Sequence, residues 1–124
     1  MKILVISGHV YKSPRQAGFH FLSRAFFKGD NSVRFMTVGV SYFSILRKDP
    51  RIKVIKNQQG INRWVVNDDG IASYVFFTPW HPVRLRSKIL DQASSFLFSR
   101  YGRFAERISS EILAADMIIV ECGV

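Results

Sequence analysis

Five side chains of this 124-residue sequence are placed where they can bind a polar ligand: His9, Arg15, His20, His81 and Glu121. Histidine changes charge near neutral pH, and its ring nitrogens can both donate and accept hydrogen bonds. His9 follows one apolar run and Glu121 follows another, so we expect both at the edge of a sheet, where ligands bind in α/β proteins. Glu121 is suited either to bind a sugar hydroxyl or to cap a following helix.

Two of the histidines also have purely structural interpretations. His20 lies within a predicted helix, where a packed, hydrogen-bonded ring is the favoured alternative to a ligand contact. His81 lies between Pro79 and Pro82 and is either a rigid turn residue or a ligand contact. No carboxylate or cysteine accompanies the histidines at metal-ligand spacing, so we expect no metal site. The single cysteine, Cys122, cannot form an internal disulfide.

The groups needed for covalent or acid–base catalysis cannot be assembled from these residues. The sequence indicates no nucleophile–base pair and no pair of convergent carboxylates. The final run, Asp116–Val124, predicts a buried strand leading into a loop, and in open α/β sheets such loops commonly carry site residues. We therefore expect residues 1–124 to be one domain of a larger enzyme.

The first half of the sequence predicts the start of a doubly wound α/β fold. Lys2–Ser7 and Ser32–Val38 have the apolar, β-branched character of buried parallel strands. Between them, Ser13 predicts an N-cap, followed by Pro14 at the first helical position, Gln16 in a capping box, and a helix that ends before Gly29. The apolar stripe predicted for this helix is Ala17, Phe21, Leu22, Ala25 and Phe26.

The second half continues the alternation. Ile61–Val66 and Ile71–Phe77 predict a hairpin or two short strands around the turn signal Asn67–Gly70. Helical spacing follows from about Arg86, with a break at Gly102, and Met117–Val120 predicts the closing strand. The apolar helix faces are expected at Ile89, Ala93, Phe96 and Leu97, and at Phe104, Ile108 and Ile112. The predicted fold class is therefore α/β, a Rossmann-like parallel-sheet sandwich.

Positive charge is concentrated in one half of the chain. Residues 1–63 carry twelve Lys and Arg against two Asp, whereas residues 64–124 carry six against seven acidic residues. The densest part, residues 47–56, follows the aromatic and aliphatic residues 41–46. Such a segment suits an anionic membrane surface, nucleic acid, or a solvated loop. The side chains predicted to face a membrane are Tyr42, Phe43, Arg47, Lys48, Arg51, Lys53, Lys56, Arg84, Arg86 and Lys88.

Several classes of protein fit the sequence poorly. The apolar runs are far shorter than the roughly 20 residues that cross a bilayer, and the N-terminal run is too short for a secretory signal, so we expect a cytoplasmic location. The loop after the first strand lacks the spaced glycines of a dinucleotide site. A flavodoxin-like redox domain would share the strand, loop and helix, but its phosphate loop is missing. A basic nucleic-acid-binding module remains the other alternative.

Four segments carry a resemblance to a known family, in the same order along the chain. They are Ile3–His9, Ser13–Leu22, Tyr74–Pro82 with Arg86 and Leu90, and Asp116–Gly123. The most specific part is His9–Phe21, in which histidine, proline, arginine, alanine and histidine recur at the family's spacing. On these residues the sequence resembles the N-terminal domain of the xanthan glucuronosyltransferase (GumK-like) family.

This resemblance implies half of a GT-B glycosyltransferase, which is inverting, metal-independent and peripheral on the inner face of the cell membrane. Such an enzyme transfers glucuronic acid from a UDP-sugar to a polyprenyl-diphosphate-linked oligosaccharide during exopolysaccharide assembly. The N-terminal domain binds the acceptor, and a C-terminal domain binds the UDP-sugar, so we expect no cofactor on this chain and no nucleic-acid partner. The family's catalytic aspartate matches a position beyond Val124, so we expect this domain alone to be inactive.

Overall fold

The computed structural model of the chain describes residues 1–58, 60–79, 87–100 and 103–121. Its strands and helices are, in chain order, β1 Lys2–Ser7, α1 Gly18–Lys28, β2 Ser32–Ser41, α2 Tyr42–Leu46, α3 Pro50–Gln58, β3 Trp64–Val66, β4 Ala72–Thr78, α4 Lys88–Arg100, α5 Arg103–Ala114 and β5 Met117–Val120. The bounds of β1 and β5 are those predicted from the sequence, whereas β2 extends three residues further than predicted.

The five strands form one sheet in the order β3-β4-β2-β1-β5. β4, β2, β1 and β5 are parallel, and β3 pairs antiparallel with β4 across the predicted hairpin turn. The chain moves outward from β1 through β2 to β4 and then returns to the other side of β1 to form β5. Such a reversal is a topological switch point, and it opens a crevice at the carboxyl ends of β1 and β5. The predicted α/β, Rossmann-like fold class is confirmed.

Helices cover both faces of the sheet because the side chains of each strand alternate between the two faces. On one face, Phe35 and its apolar neighbours pack against α1, and Val40 and Val75 pack against α3. On the other face, Leu4 and Met36 pack against Ile108 of α5. The predicted inward face of α5 is therefore confirmed at Ile108 and at Ile112, which packs against the same cluster.

The predicted start of α1 is wrong. The helix begins at Gly18 with Ala17 as the N-cap, four residues after the predicted cap at Ser13. Local bonds hold the segment before it in a turn: Ser13 Oγ accepts from the Arg15 N–H (3.3 Å), and Gln16 Nε2 donates to the Ser13 carbonyl (2.7 Å). Serine and similar polar side chains compete with the helix in this way by bonding the nearby backbone.

The predicted apolar stripe of α1 is confirmed at Phe26 but is wrong at Phe21, Leu22 and Ala25, which are exposed. Phe21 is 61% exposed, and the face turned to the sheet consists of Phe19, His20, Ser23 and Phe26. Both polar residues of that face are satisfied internally: the Ser23 hydroxyl donates to the Phe19 carbonyl (2.7 Å), and His20 bonds to backbone at both ring nitrogens. A pattern of apolar residues alone misses a face that is partly built from satisfied polar groups.

The helix α4 contradicts its predicted apolar face. Ile89 is 78% exposed and Phe96 is 67% exposed, whereas Ser94 is buried. In the described part of α4 the buried side chain is Ser94, so the apolar periodicity identified the helix here but not the side that faces the domain. The residues Arg84, Arg86, Gly102 and the side chains of Leu97 and Phe104 lie outside the described part of the chain.

Candidate functional site

The crevice at the switch point contains an open cleft of about 680 Å³. This volume lies in the range of small-molecule sites in proteins. The cleft is formed by the ends of β1 and β5, the loop before α1 and the start of α3. We call it the switch-point cleft; its lining residues are Gly8, His9, Ser13, Pro14, Arg15, Asp49, Pro50, Arg51, Val54 and Glu121. Three of the five predicted ligand-binding residues, His9, Arg15 and Glu121, therefore meet in one place.

Glu121 is held by the end of the neighbouring strand. Its N–H donates to the Ile6 carbonyl (2.9 Å), which extends the ladder between β5 and β1. Oε2 of its carboxylate accepts from the Ser7 hydroxyl (2.6 Å) and from the Gly8 N–H (2.9 Å). The His9 N–H in turn donates to Ser7 Oγ (3.0 Å). These bonds fix one carboxylate oxygen and leave Oε1 for another partner.

The environment of Glu121 favours its ionised form. Burial acts to raise the pKa of the carboxyl group, but the hydrogen bonds from the Ser7 hydroxyl and the Gly8 N–H, together with the nearby His9 ring, outweigh it. The pKa of Glu121 is therefore lowered from its ordinary value of 4.5. At neutral pH the side chain is an acceptor-only carboxylate at the end of β5.

The second oxygen of Glu121 faces His9. The distance from His9 Nε2 to Glu121 Oε1 is 3.4 Å. Because a carboxylate can only accept, this contact favours the tautomer of a neutral His9 ring that carries its proton on Nε2 and keeps the lone pair on Nδ1. The His9 side chain is 38% exposed, and its carbonyl accepts from the Thr37 hydroxyl (2.8 Å), which fixes the backbone. The site thus combines an anchored carboxylate with an accessible imidazole that can accept a hydrogen bond.

His20 does not line the cleft: its burial contradicts the interpretation as a ligand contact and agrees with the packed, hydrogen-bonded ring that the sequence favoured. The side chain is fully buried beneath the loop that precedes α1. Its Nδ1 accepts from the Ala17 N–H (3.0 Å), and its Nε2 lies 3.1 Å from the Val10 carbonyl. Both ring nitrogens are therefore occupied by the protein backbone, as the structural interpretation of this residue requires.

Comparison with known proteins identifies the family of this chain. Residues 5–124 match the family described as glucuronosyltransferase GumK, N-terminal domain. The chain belongs to this family. It is also 25% identical over 123 residues to the UDP-glucuronate:glycolipid 2-beta-glucuronosyltransferase of Xanthomonas campestris pv. campestris. That match covers 98% of this chain and 29% of the relative, so the chain spans less than a third of the relative's length.

One predicted membrane-facing residue of this GumK-type domain is turned inward instead. The Arg51 guanidinium donates to the carbonyls of Gly8 (2.6 Å) and Gly39 (2.8 Å) and makes paired bonds to the Asp49 carboxylate. Its side chain is 28% exposed. Because its donors are used to join α3 to the ends of β1 and β2, Arg51 is a structural residue of the cleft wall, and its prediction as a surface cation is wrong.

The other membrane-facing candidates lie on or near α2 and α3. α2 begins where β2 ends, so it lies at the same edge of the sheet as the switch-point cleft. Tyr42 is 65% exposed, and the lysines Lys48, Lys53 and Lys56 are exposed as well. Phe43 is half-buried, and the Cζ atom of the Arg47 guanidinium lies 5.4 Å from the centroid of its ring. Lys88 is exposed at the start of α4. His81, Arg84 and Arg86 lie outside the described residues.

Sequence reasoning missed two residues that build this site. Ser7 orients Glu121, and the signal available was a lone hydroxyl at the end of an otherwise apolar strand. Asp49 holds Arg51, and it is one of two acidic residues among residues 1–63. A single carboxylate within a strongly basic segment indicates an internal ion pair, because several Lys and Arg side chains lie close to it along the chain.

No helix within residues 1–58, 60–79, 87–100 and 103–121 is long and apolar enough to span a bilayer.

Proposed function

We propose that this chain is the acceptor-binding, membrane-facing domain of a glycosyltransferase. In this proposal the enzyme transfers glucuronic acid from a UDP-sugar to a polyprenyl-diphosphate-linked oligosaccharide in exopolysaccharide biosynthesis. The name of the Xanthomonas relative, a glucuronosyltransferase acting from UDP-glucuronate to a glycolipid, supports both substrate classes. The observation that carries the proposal is the switch-point cleft, in which His9 and Glu121 meet at the ends of β1 and β5.

The chemistry of the cleft suits a sugar next to a diphosphate. Sugar hydroxyls donate to acceptors such as the Glu121 carboxylate and His9 Nδ1, whereas a diphosphate binds guanidinium groups. Arg15 is an exposed arginine on the cleft wall, and the other arginine there, Arg51, is already bonded to Asp49. We therefore assign the sugar to the His9–Glu121 side and the diphosphate to Arg15. The UDP-sugar and the catalytic base belong to a second domain in this proposal.

Acceptor binding is tested with farnesyl diphosphate linked to a disaccharide, followed by NMR on the chain. We expect shifts at His9, Arg15 and Glu121 that farnesyl diphosphate alone and the disaccharide alone reproduce only in part. Arg15→Gln removes a charge-assisted bond and should weaken binding of both diphosphate compounds by about tenfold, while binding of the free disaccharide is unchanged. UDP-glucuronate occupying the cleft in place of the acceptor analogue would refute the assignment.

A membrane location for the same edge follows from the surface next to the cleft. Tyr42 and Leu46 of α2 are exposed, and basic side chains follow them along α3. An amphipathic surface of this kind binds at the interface of an anionic bilayer through apolar burial and electrostatic attraction. A lipid-linked acceptor lies in that bilayer, so docking here brings its diphosphate and sugar to the mouth of the cleft.

Removing two positive charges from this surface should weaken binding to anionic vesicles. Each basic residue near a membrane surface contributes about 1 kcal/mol, so Lys48→Gln with Lys53→Gln is expected to lower the partition coefficient roughly 30-fold. The measurement is sedimentation with phosphatidylglycerol-containing vesicles at low salt, where screening is weakest. Neutral phosphatidylcholine vesicles should retain neither protein.

The matched control removes the same charge from the opposite edge. Lys2 begins β1, and Lys28 ends α1 shortly before β2 begins, so both exposed lysines lie away from the cleft. Lys2→Gln with Lys28→Gln should change vesicle binding much less than the α2–α3 pair. Equal losses from the two double variants would mean that net charge, and not this surface, determines binding.

A further inference from the structure

His20 joins the two ends of a loop through a single buried ring. The loop comprises residues 10–17, and we call it the cleft loop. His20 Nδ1 lies 3.0 Å from the Ala17 nitrogen at one end, and Nε2 lies 3.1 Å from the Val10 oxygen at the other. An amide N–H is always a donor, so Nδ1 must be unprotonated, and Nε2 then carries the proton that it donates to Val10. The arrangement specifies the neutral Nε2–H tautomer.

The cleft loop also carries a wall of the switch-point cleft. Ser13, Pro14 and Arg15 line the cleft, and His9 immediately precedes the loop. The His20 ring stacks on Tyr11 (centroids 5.7 Å apart), packs against Phe35 of β2 (5.1 Å) and meets the edge of the His9 ring (6.2 Å). One side chain therefore fixes the loop ends by hydrogen bonds and contacts the ring of His9.

We propose that His20 is a positioning residue that holds the cleft loop closed in its neutral form, so that His9 and Arg15 face the same ligand. The contacts of the ring support its role in holding the loop, whereas its role toward a ligand rests on the proposed function above. His20 occupies the third position of α1, from which Gln or Glu side chains commonly reach back to the N-cap N–H. Here the ring does the same for Ala17 and adds a bond to Val10.

Protonation of His20 would break this arrangement, because a charged imidazole has two donors and no acceptor for the Ala17 N–H. The titratable groups around the ring are Tyr11 from the cleft loop, His9 from the end of β1 and Glu121 from the end of β5. β2 contributes the uncharged Phe35. The role of His20 thus depends on the two bonds of the neutral ring, and an uncharged side chain that keeps both bonds should replace it.

Two substitutions separate positioning from packing. His20→Leu fills the site and loses both hydrogen bonds, whereas His20→Gln keeps an acceptor for Ala17 and a donor for Val10. Amide hydrogen exchange should be about tenfold or more faster at Ala17 in His20→Leu, and close to the unsubstituted chain in His20→Gln. Exchange in β2 and β4 reports whether either variant is globally destabilised.

Two further measurements use the unsubstituted chain and the same variants. Nitrogen-15 NMR should show an unprotonated Nδ1 and a protonated Nε2 on His20. Affinity for the farnesyl diphosphate-linked disaccharide should fall about tenfold in His20→Leu and recover in His20→Gln.

The outcomes separate the two proposals. A protonated Nδ1, or cleft-loop exchange that is unchanged in His20→Leu, would overturn the role of His20. If His20→Leu does not fold, the test rests on His20→Gln. Cleft-loop exchange in His20→Gln that is tenfold faster than in the unsubstituted chain would also overturn the role of His20. Failure of the unsubstituted chain to bind the acceptor analogue would instead remove the proposed function and leave the exchange results to decide on the loop.

Discussion

Arg51→Met is expected to lower the free energy of unfolding by about 3 kcal/mol, since it removes a charged donor that three backbone carbonyls and a carboxylate share. The carbonyls of Gly8 and Gly39 each lose a charge-assisted bond, and the Asp49 carboxylate, with a side chain only 20% exposed, loses its bonds to the guanidinium. Methionine keeps most of the volume of the aliphatic stem, so the loss reports hydrogen bonding more than packing.

Urea denaturation measures this loss, and Lys53→Met is its matched control. Lys53 lies two residues further along the same helix and is exposed, so its replacement should change stability by no more than about 0.5 kcal/mol. Vesicle binding should respond in the opposite order, with Lys53→Met the more affected variant. An Arg51→Met protein as stable as Lys53→Met would mean that the guanidinium lies in solvent, as the sequence alone predicted.

The strands were predictable because a buried parallel strand has a local signature. The runs Lys2–Ser7 and Met117–Val120 are short, apolar and β-branched, and their bounds in the structure are those predicted. The turn residues Asn67–Gly70 likewise indicated the hairpin that joins β3 to β4. In each case the physical cause lies within the segment itself, so neighbouring residues suffice to recognise it.

The start of α1 and the role of Arg51 were not predictable, because their causes lie outside the segment. Ser13 has the correct type for an N-cap, but its turn is stabilised by bonds within the cleft loop, and the helix is capped from His20. Arg51 looks like a surface cation among other cations until Gly8 and Gly39 are brought beside it. Contacts between distant segments decide both outcomes.

Local sequence predicted which residues of the candidate site lie at the sheet edge, but not that His9 and Glu121 contact each other. The positions of His9 and Glu121 after apolar strands placed both residues at a sheet edge. Their pairing required β5 to lie next to β1, with Ile6 opposite Val120, and this strand order follows from the return of the chain across the sheet. Local patterns identify strands but not their order, so the distance between the two side chains could not be read from the sequence.

Glu121→Gln is expected to exchange the donor and acceptor roles of the two ring nitrogens of His9. It should weaken binding of the acceptor analogue by about tenfold or more. Ser7 and Gly8 both donate to one oxygen of Glu121, so the amide oxygen of glutamine takes that position. The amide nitrogen then lies where Oε1 faced His9 Nε2. Because an amide nitrogen only donates, a neutral His9 must move its proton to Nδ1, which no longer accepts from a sugar hydroxyl.

The same substitution has a defined pH dependence for stability. The pKa of Glu121 is lowered in the folded chain, so its ionised form stabilises the fold above the ordinary value of 4.5. That contribution is lost as the pH falls below 4.5 through the folded pKa. The difference in unfolding free energy between the unsubstituted chain and Glu121→Gln should therefore shrink as the pH falls below 4.5.

Nitrogen-15 NMR of His9 connects the two effects of Glu121→Gln. The unsubstituted chain should show the Nε2–H tautomer and the variant the Nδ1–H tautomer, both at a pH where the ring is neutral. Ser7→Ala is the matched control, since it removes a bond to Oε2 but leaves Oε1 as an acceptor for His9. It should lower stability without changing the tautomer and should cost less acceptor affinity.

If Glu121→Gln changes the tautomer while the affinity for the acceptor analogue is unaffected, His9 does not accept the sugar hydroxyl, and the ligand must contact another part of the cleft.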